Sequence, residues 1–153
     1  MAYASVVIRD SIITVFLISA LNDLNIIAGK ILNTYLNSPT KEKVLFYSGD
    51  YWKSDQGKVV LVVRVIYGLK PSALAMRNYL SEILGNYLGL NYYLTDPYVW
   101  YRDSVCKEMF EYYCYILVYV DKILIINKNP QKNTKMIQGK YTTKPRNIVD
   151  LKV

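Results

Sequence analysis

The stretch from Tyr112 to Asn127 constrains the fold most, because it is almost wholly apolar, aromatic and β-branched. Residues of these types are enriched in strands, and only the pair Asp121-Lys122 interrupts the run. The stretch therefore predicts two strands joined by a tight turn at the charged pair. A carboxylate at the apex of an apolar strand pair has two ordinary explanations: it closes the turn, or it binds something such as a metal ion.

The first half of the chain predicts a helix followed by strands. Asp10 or Ser11 can cap a helix that carries apolar residues on every side, so we expect this helix to be buried nearly all round. Ile26 to Ile31 is typical of a short strand, interrupted by Lys30, whose ammonium must find a partner or reach solvent. Val59 to Ile66 predicts a strand buried on at least one face, and Lys43 to Tyr47 predicts another strand before it.

The second half adds an amphipathic helix, a strand, the hairpin and a last helix. The amphipathic helix begins near Pro71 or Ser72 and ends before Gly89, and Pro130 starts the last one. The apolar stripe of the amphipathic helix, at helical spacing, consists of Met76, Leu80, Ile83, Leu84 and Tyr87. This order of elements predicts an α+β fold in which helices pack on one face of an antiparallel sheet. We expect one domain over residues 1–130 and a basic, loosely held segment over residues 131–153.

Composition excludes several classes of active site. The chain has no histidine, which excludes Ser-His-Asp catalysis, Cys-His catalysis and His-ligated zinc. Cys106 and Cys114 lack the spacing of a metal site, and two cysteines favour a reducing, intracellular setting, cytoplasmic or nuclear. A net charge of +7 fits either a surface that binds polyanions or an ordinary solvated surface.

The apolar run from Ile12 to Leu21 raises the question of a membrane. A spanning helix needs about 20 apolar residues, and this run has ten. It could also be the core of a signal peptide, although Asp10 directly before it argues against that reading. We therefore expect no membrane association, and a secreted or membrane-associated protein is the alternative that rests on this run alone.

Five stretches, taken in order, resemble copia-type retrotransposon reverse transcriptases. The catalytic hairpin of this family carries the sequence Tyr-Val-Asp-Asp. The corresponding residues here are Tyr119-Val120-Asp121-Lys122, so lysine replaces the second aspartate. The family's Leu-Tyr-Gly-Leu-Lys is matched by Ile66 to Lys70. The other similar stretches are Tyr3 to Asn25, Ile31 to Pro39 and Asp96 to Arg102. Together the five cover nearly the whole chain, and the resemblance implies a palm-type polymerase sheet with part of the fingers.

The resemblance also implies where the reaction centre would lie. Polymerases of this family use two Mg²⁺ ions, held by one acid on the first strand and two at the hairpin. Lys30 stands at the position of the first acid, Asp121 at the second and Lys122 at the third. A unit charge 4 Å away is worth about 4 kcal/mol at an effective dielectric near 20, and a divalent ion doubles it. Two ammonium groups should therefore abolish metal binding, so we expect no cofactor and an inactive polymerase remnant.

Four further residues take a nucleotide- or template-binding role from the same resemblance: Tyr119, Gly68, Lys70 and Ser72. From the residues alone, Tyr119 is more typical of sheet packing, and the segment around Gly68 is a strand-to-helix turn. The family's partner is an RNA or DNA template with its primer, and we expect that partner to be bound weakly or not at all here. The alternative function is a non-catalytic nucleic-acid-binding module that uses the old template groove.

Overall fold

The computed structural model describes residues 6–69, 72–105 and 111–139. Its helices are α1 (Arg9–Leu21), α2 (Thr34–Asn37), α3 (Ser72–Glu82), which continues into a π-helical turn (Ile83–Tyr87), and α4 (Pro130–Gln138). Its strands are β1 (Asn25–Lys30), β2 (Pro39–Tyr47), β3 (Val59–Arg64), β4 (Asn91–Tyr92), β5 (Val99–Val105), β6 (Glu111–Tyr119) and β7 (Lys122–Asn127). Short 3-10 turns occupy Asp50–Asp55 between β2 and β3.

Five strands form one antiparallel sheet in the order β1-β7-β6-β5-β4. The predicted hairpin is present as β6 and β7, with Tyr119 opposite Lys122 and the turn at Val120 and Asp121. Strand β1 pairs with the outer edge of β7, so the first strand of the chain lies directly beside the hairpin. The predicted α+β fold with an antiparallel sheet is confirmed.

Helices cover both faces of this sheet, which corrects the prediction that they pack on one face. Successive residues of a strand point to opposite faces, so Trp100 and Val99 lie on different sides. The π-helical turn after α3 approaches Trp100, and Asn133 of α4 bonds to Cys114 on the same side. Helix α1 instead borders a cavity that is lined by Val99 and Tyr115, on the other side. Strand alternation presents apolar residues on both faces, and each face has to be covered.

Helix α1 is far more exposed than the sequence predicts. Its buried residues are Val15 and Ser19, whereas Ile13, Leu17 and Leu21 are more than half exposed. The predicted burial on nearly all sides is therefore wrong, because the sheet covers one stripe and nothing in the described part of the chain packs on the opposite one. The predicted cap is also absent: the helix begins at Arg9 without a side-chain cap, and the amide of Ile8 donates to Oδ2 of Asp96.

A separate two-stranded sheet consists of β2 and β3. The face of β3 that carries Val60 and Val62 is covered, as the sequence predicts, although Val62 is the one fully buried residue of the strand. Two strands offer little area to bury, and their partners here are the small helix α2 and the start of α3. The amphipathic stripe of the next helix fits the prediction better, since Met76, Leu80, Ile83 and Leu84 are buried and Tyr87 is exposed.

The predicted last helix is present as α4, and it begins at Pro130, where the expected division between domain and C-terminal segment falls. Helix α4 packs against β7 and β1, and its Asn133 and Ile137 are buried. Residues 140–153 lie outside the described ranges. None of the helices described is long and apolar enough to cross a membrane.

Candidate functional site

The centre of the candidate site is an ion pair between β1 and the hairpin turn. Nζ of Lys30, the last residue of β1, lies 3.3 Å from Oδ2 of Asp121. The backbone reinforces this approach, because the amide of Ile31 donates to the carbonyl of Asp121 at 2.7 Å. The Lys30 side chain is 56 % exposed and that of Asp121 is 23 % exposed, so the pair lies at the surface. The contact between Lys30 and Asp121 that the resemblance implies is therefore present.

Lys122 is the third member of the site. It is the direct cross-strand partner of both Lys30 on β1 and Tyr119 on β6, and it is exposed. Cross-strand partners have Cα atoms about 4.5–5.5 Å apart, so the three positions taken from the resemblance converge at one end of the sheet. Sequence spacing alone, with 91 residues between Lys30 and Lys122, could not show this convergence.

The turn that presents Asp121 has an unusual backbone. Val120 has φ = 54°, in the left-handed region, which is unfavourable for a β-branched residue. A two-residue hairpin turn with positive φ at its first position ordinarily has glycine there. The antiparallel pairing of β6 and β7 on either side holds Val120 in this conformation, and the conformation sets the position of Asp121.

The charges at this site do not fit a magnesium ion. Mg²⁺ requires several hard oxygen ligands in a near-octahedral arrangement, and here one carboxylate faces an ammonium group with a second lysine beside it. Among residues 6–69, 72–105 and 111–139, no three His, Cys, Asp or Glu side chains are grouped so that they could hold one metal ion. Asp121 alone offers too few ligands, and its Oδ2 already lies 3.3 Å from the Lys30 ammonium group.

Tyr119 lines an apolar cavity of about 390 Å³ at the end of the sheet. Lys30 and Lys122 also line this cavity, together with Val7, Ile12, Ala28, Gly29, Leu117, Ile123 and Leu124. Lysine side chains commonly lay their methylene chains along apolar surface and keep the ammonium group in water. The Tyr119 ring is about half exposed, so it contributes both to packing and to the accessible surface of the site.

Two tyrosines that the sequence analysis did not select also belong to this region. The rings of Tyr35, in α2, and Tyr67, in the turn after β3, lie 4.3 Å apart between centroids. Burial, followed by the neighbouring Tyr67 and the Asp121 carboxylate, raises the pKa of the Tyr35 hydroxyl. Tyr35 therefore contacts Tyr67, beside Gly68, and lies close enough to the hairpin tip for the Asp121 charge to act on it. Its place one helical turn beyond β1 was visible in the sequence, but its contact with Tyr67 depends on the fold.

The remaining residues taken from the resemblance have structural roles or lie outside the described ranges. Gly68 has φ = 90°, which suits glycine in a tight turn. Ser72 is buried, and its hydroxyl donates to the carbonyl of Ile66 at 2.6 Å, so it closes the loop at the start of α3. Lys70 lies outside the described residues.

Comparison with known proteins provides no independent identification. The chain matches no protein-family model, no curated protein sequence and no solved structure.

Proposed function

We propose that this chain is a remnant of a copia-type reverse transcriptase palm that has lost polymerase activity, as a product of a decayed transposable element. The observation that carries the proposal is the ion pair between Lys30 and Asp121 at 3.3 Å. This ion pair brings together a strand end and a hairpin tip that lie 91 positions apart in the sequence, and the resemblance assigns the family's metal site to these same positions. These positions are the ones to which the resemblance assigns the family's metal-binding acids, and their proximity is what supports the proposal.

The loss of activity follows from the chemistry of the same contact. Two-metal catalysis stabilises the attacking and leaving oxygens of the phosphoryl transfer, and it needs carboxylates on both strands. Lysine at positions 30 and 122 replaces attraction for a divalent ion with repulsion, and Lys30 neutralises the remaining Asp121. No step of nucleotide transfer can be assigned to these residues.

The most direct test is Mn²⁺ binding, followed by paramagnetic broadening of backbone amide resonances near Asp121. We expect no saturable broadening in the natural chain. The double variant Lys30→Asp, Lys122→Asp should gain a saturable site, because three carboxylates would then meet at the sheet end. Adding Asp121→Asn to the double variant should remove that site. Saturable binding at Asp121 in the natural chain, or no gain in the double variant, would contradict the proposal.

Primer extension on an RNA template tests the activity itself. We expect no extension product from the natural chain, and any product that disappears in an Asp121→Asn variant would overturn the proposal. The Lys30→Asp, Lys122→Asp variant shows whether restoring the carboxylates is enough for activity. If it binds Mn²⁺ but extends no primer, then the template groove is incomplete as well.

Nucleic-acid binding without catalysis is a second candidate, supported by the character of the surface at the sheet end. Lys30 and Lys122 are exposed beside Tyr119 and Tyr67, which are about half and two-thirds exposed. Lysine binds phosphate groups and tyrosine rings stack on bases, so this combination suits a single strand.

Filter binding of single-stranded RNA at several salt concentrations tests this second candidate. Each phosphate contact on a single strand contributes a slope of about −0.7 in a plot of log K against log salt. Lys122→Gln should lower the magnitude of the slope by roughly that amount. Lys58→Gln is the matched control, because Lys58 is also exposed and lies directly before β3, where it pairs with Asp55. An equal decrease of the salt slope in both variants would indicate a diffuse electrostatic attraction and no specific binding groove.

The intracellular setting belongs to the same proposal. Cys114 is a free thiol, and it is buried next to Asn133, which suits a reducing compartment.

A further inference from the structure

The two-stranded sheet has one face that is apolar and almost entirely open. In this pair Leu45 lies opposite Leu61, and Tyr47 lies opposite Val59. Because side chains alternate along a strand, these four residues share a face with Val63. Their exposed fractions are 61 % for Leu45, 76 % for Tyr47, 57 % for Val59, 49 % for Leu61 and 65 % for Val63. We call this surface the open face.

The opposite face of the same sheet is already occupied. Val62 is buried there, and Val44 and Val60 are partly buried. The sheet packs against α2 and α3, and the ring of Trp52 meets Phe46 edge-on, with centroids 6.0 Å apart. Of the two faces, the open face is therefore the one without a covering layer in the described part of the chain. An isolated two-stranded sheet is marginal in water, and a second layer would stabilise it.

We infer that the open face is a self-association surface, and that its partner is a second copy of this chain. The five side chains together expose on the order of 600 Å², the upper range for a single apolar patch on a monomer. A standard interface buries about 800 Å² on each partner, so the open face supplies roughly three quarters of that area and its rim must supply the remainder. The partner forms a second layer, and two copies related by a two-fold axis make a four-stranded sandwich.

The chemistry of the open face favours an identical partner. Among its five central residues the Tyr47 hydroxyl is the one polar side-chain group, so the partner must be equally apolar to avoid burying an unpaired polar group. A second copy supplies such a surface at the same concentration. Lys43 lies at one end of this face and Lys58 follows the turn at the other, which leaves charge at the rim and none at the centre.

The net charge of +7 sets the expected salt dependence. Two copies repel each other at long range, and salt screens this repulsion without weakening apolar contacts. Dimerisation should therefore strengthen as salt rises, whereas RNA binding at the surface around Lys30 and Lys122 should weaken. This inference does not depend on the proposed polymerase ancestry.

Sedimentation of the full chain from low to high micromolar concentration tests the inference. We expect a monomer–dimer equilibrium in the natural chain, and Leu61→Lys should raise the dissociation constant about 30-fold or more. Leu94→Lys is the matched control, because Leu94 is 89 % exposed in the loop after β4 and should leave the equilibrium unchanged. A natural chain that stays monomeric, a polydisperse aggregate, or equal dissociation in both variants would overturn the inference.

Hydrogen exchange at low and high protein concentration locates the surface. We expect protection that depends on concentration in β2 and β3 and no change in α1. Protection confined to α1, whose outer apolar stripe is also exposed, would assign the dimer to that helix and overturn the inference for the open face.

Discussion

The two sheets of this molecule have similar sequences and opposite environments. Ile116 to Val118 in β6 and Val60 to Val62 in β3 are both short runs of valine, leucine and isoleucine. All three residues of the first run are buried, whereas the second run has one buried residue. The difference arises from neighbours: β6 has a strand on each side and helices above and below, and β3 has one strand partner. Apolar runs of this kind predict strands, but the number of covering layers determines burial.

A matched pair of leucines tests this comparison with the largest expected effect. Leu117→Ala in β6, where the leucine is 2 % exposed, should lower the free energy of unfolding by about 3 kcal/mol. Leu61→Ala in β3 should lower it by less than about 1 kcal/mol in dilute protein, where the monomer prevails. Urea denaturation of both variants measures the two values. Equal losses would show that β3 is covered in solution.

Alkaline pH should destabilise the large sheet through its buried cysteine. Burial raises the pKa of the Cys114 thiol to about 11 from an ordinary value of 9.0. The unfolded chain loses this proton first, so stability is fully present below pH 9 and declines as pH rises toward 11. The slope should approach about 1.4 kcal/mol per pH unit.

Chemical denaturation at a series of pH values measures that slope. Cys114→Ala should remove the cysteine contribution while retaining the decline at higher pH that follows from Tyr115, whose pKa burial raises to about 12. An unchanged slope in the alanine variant would show that the thiol is not the group responsible.

The hairpin turn is the strained point of the large sheet and offers a smaller, stabilising change. Val120→Gly should raise the free energy of unfolding by about 1 kcal/mol, since glycine adopts positive φ without the β-branched clash. Gly68→Ala, at φ = 90° in the turn after β3, should lower it by a similar amount. Thermal unfolding compares the two, and a loss of stability in Val120→Gly would contradict the strain argument.

The ion pair at the site should have the smallest effect on stability. Lys30 and Asp121 lie at the surface, and exposed pairs contribute from 0 to about 1 kcal/mol. A double-mutant cycle with Lys30→Gln and Asp121→Asn should therefore give a coupling below about 1 kcal/mol that decreases with added salt. A larger, salt-independent coupling would indicate that the pair is structural and would reduce its value as evidence of ancestry.

Local sequence patterns predicted the elements better than their surroundings. The hairpin, the stripe on α3, the end of the following π-helical turn before Gly89 and the start of α4 at Pro130 all depend on side chains near in sequence. The exposure of α1 was predicted wrongly, and the open face of β3 was not foreseen, because burial depends on partners far along the chain. For the same reason, the sequence did not predict that helices cover both faces of the large sheet. Tyr35 escaped selection because its ring contact with Tyr67 and its proximity to Asp121 exist only in the folded chain.

The sequence by itself determined an antiparallel α+β fold with a charged hairpin tip, because strand and turn preferences act over a few residues. Only the tertiary structure decided that Lys30 meets Asp121 and that the open face remains uncovered. Both outcomes depend on which strands become neighbours, and that pairing is set by the packing of the whole chain.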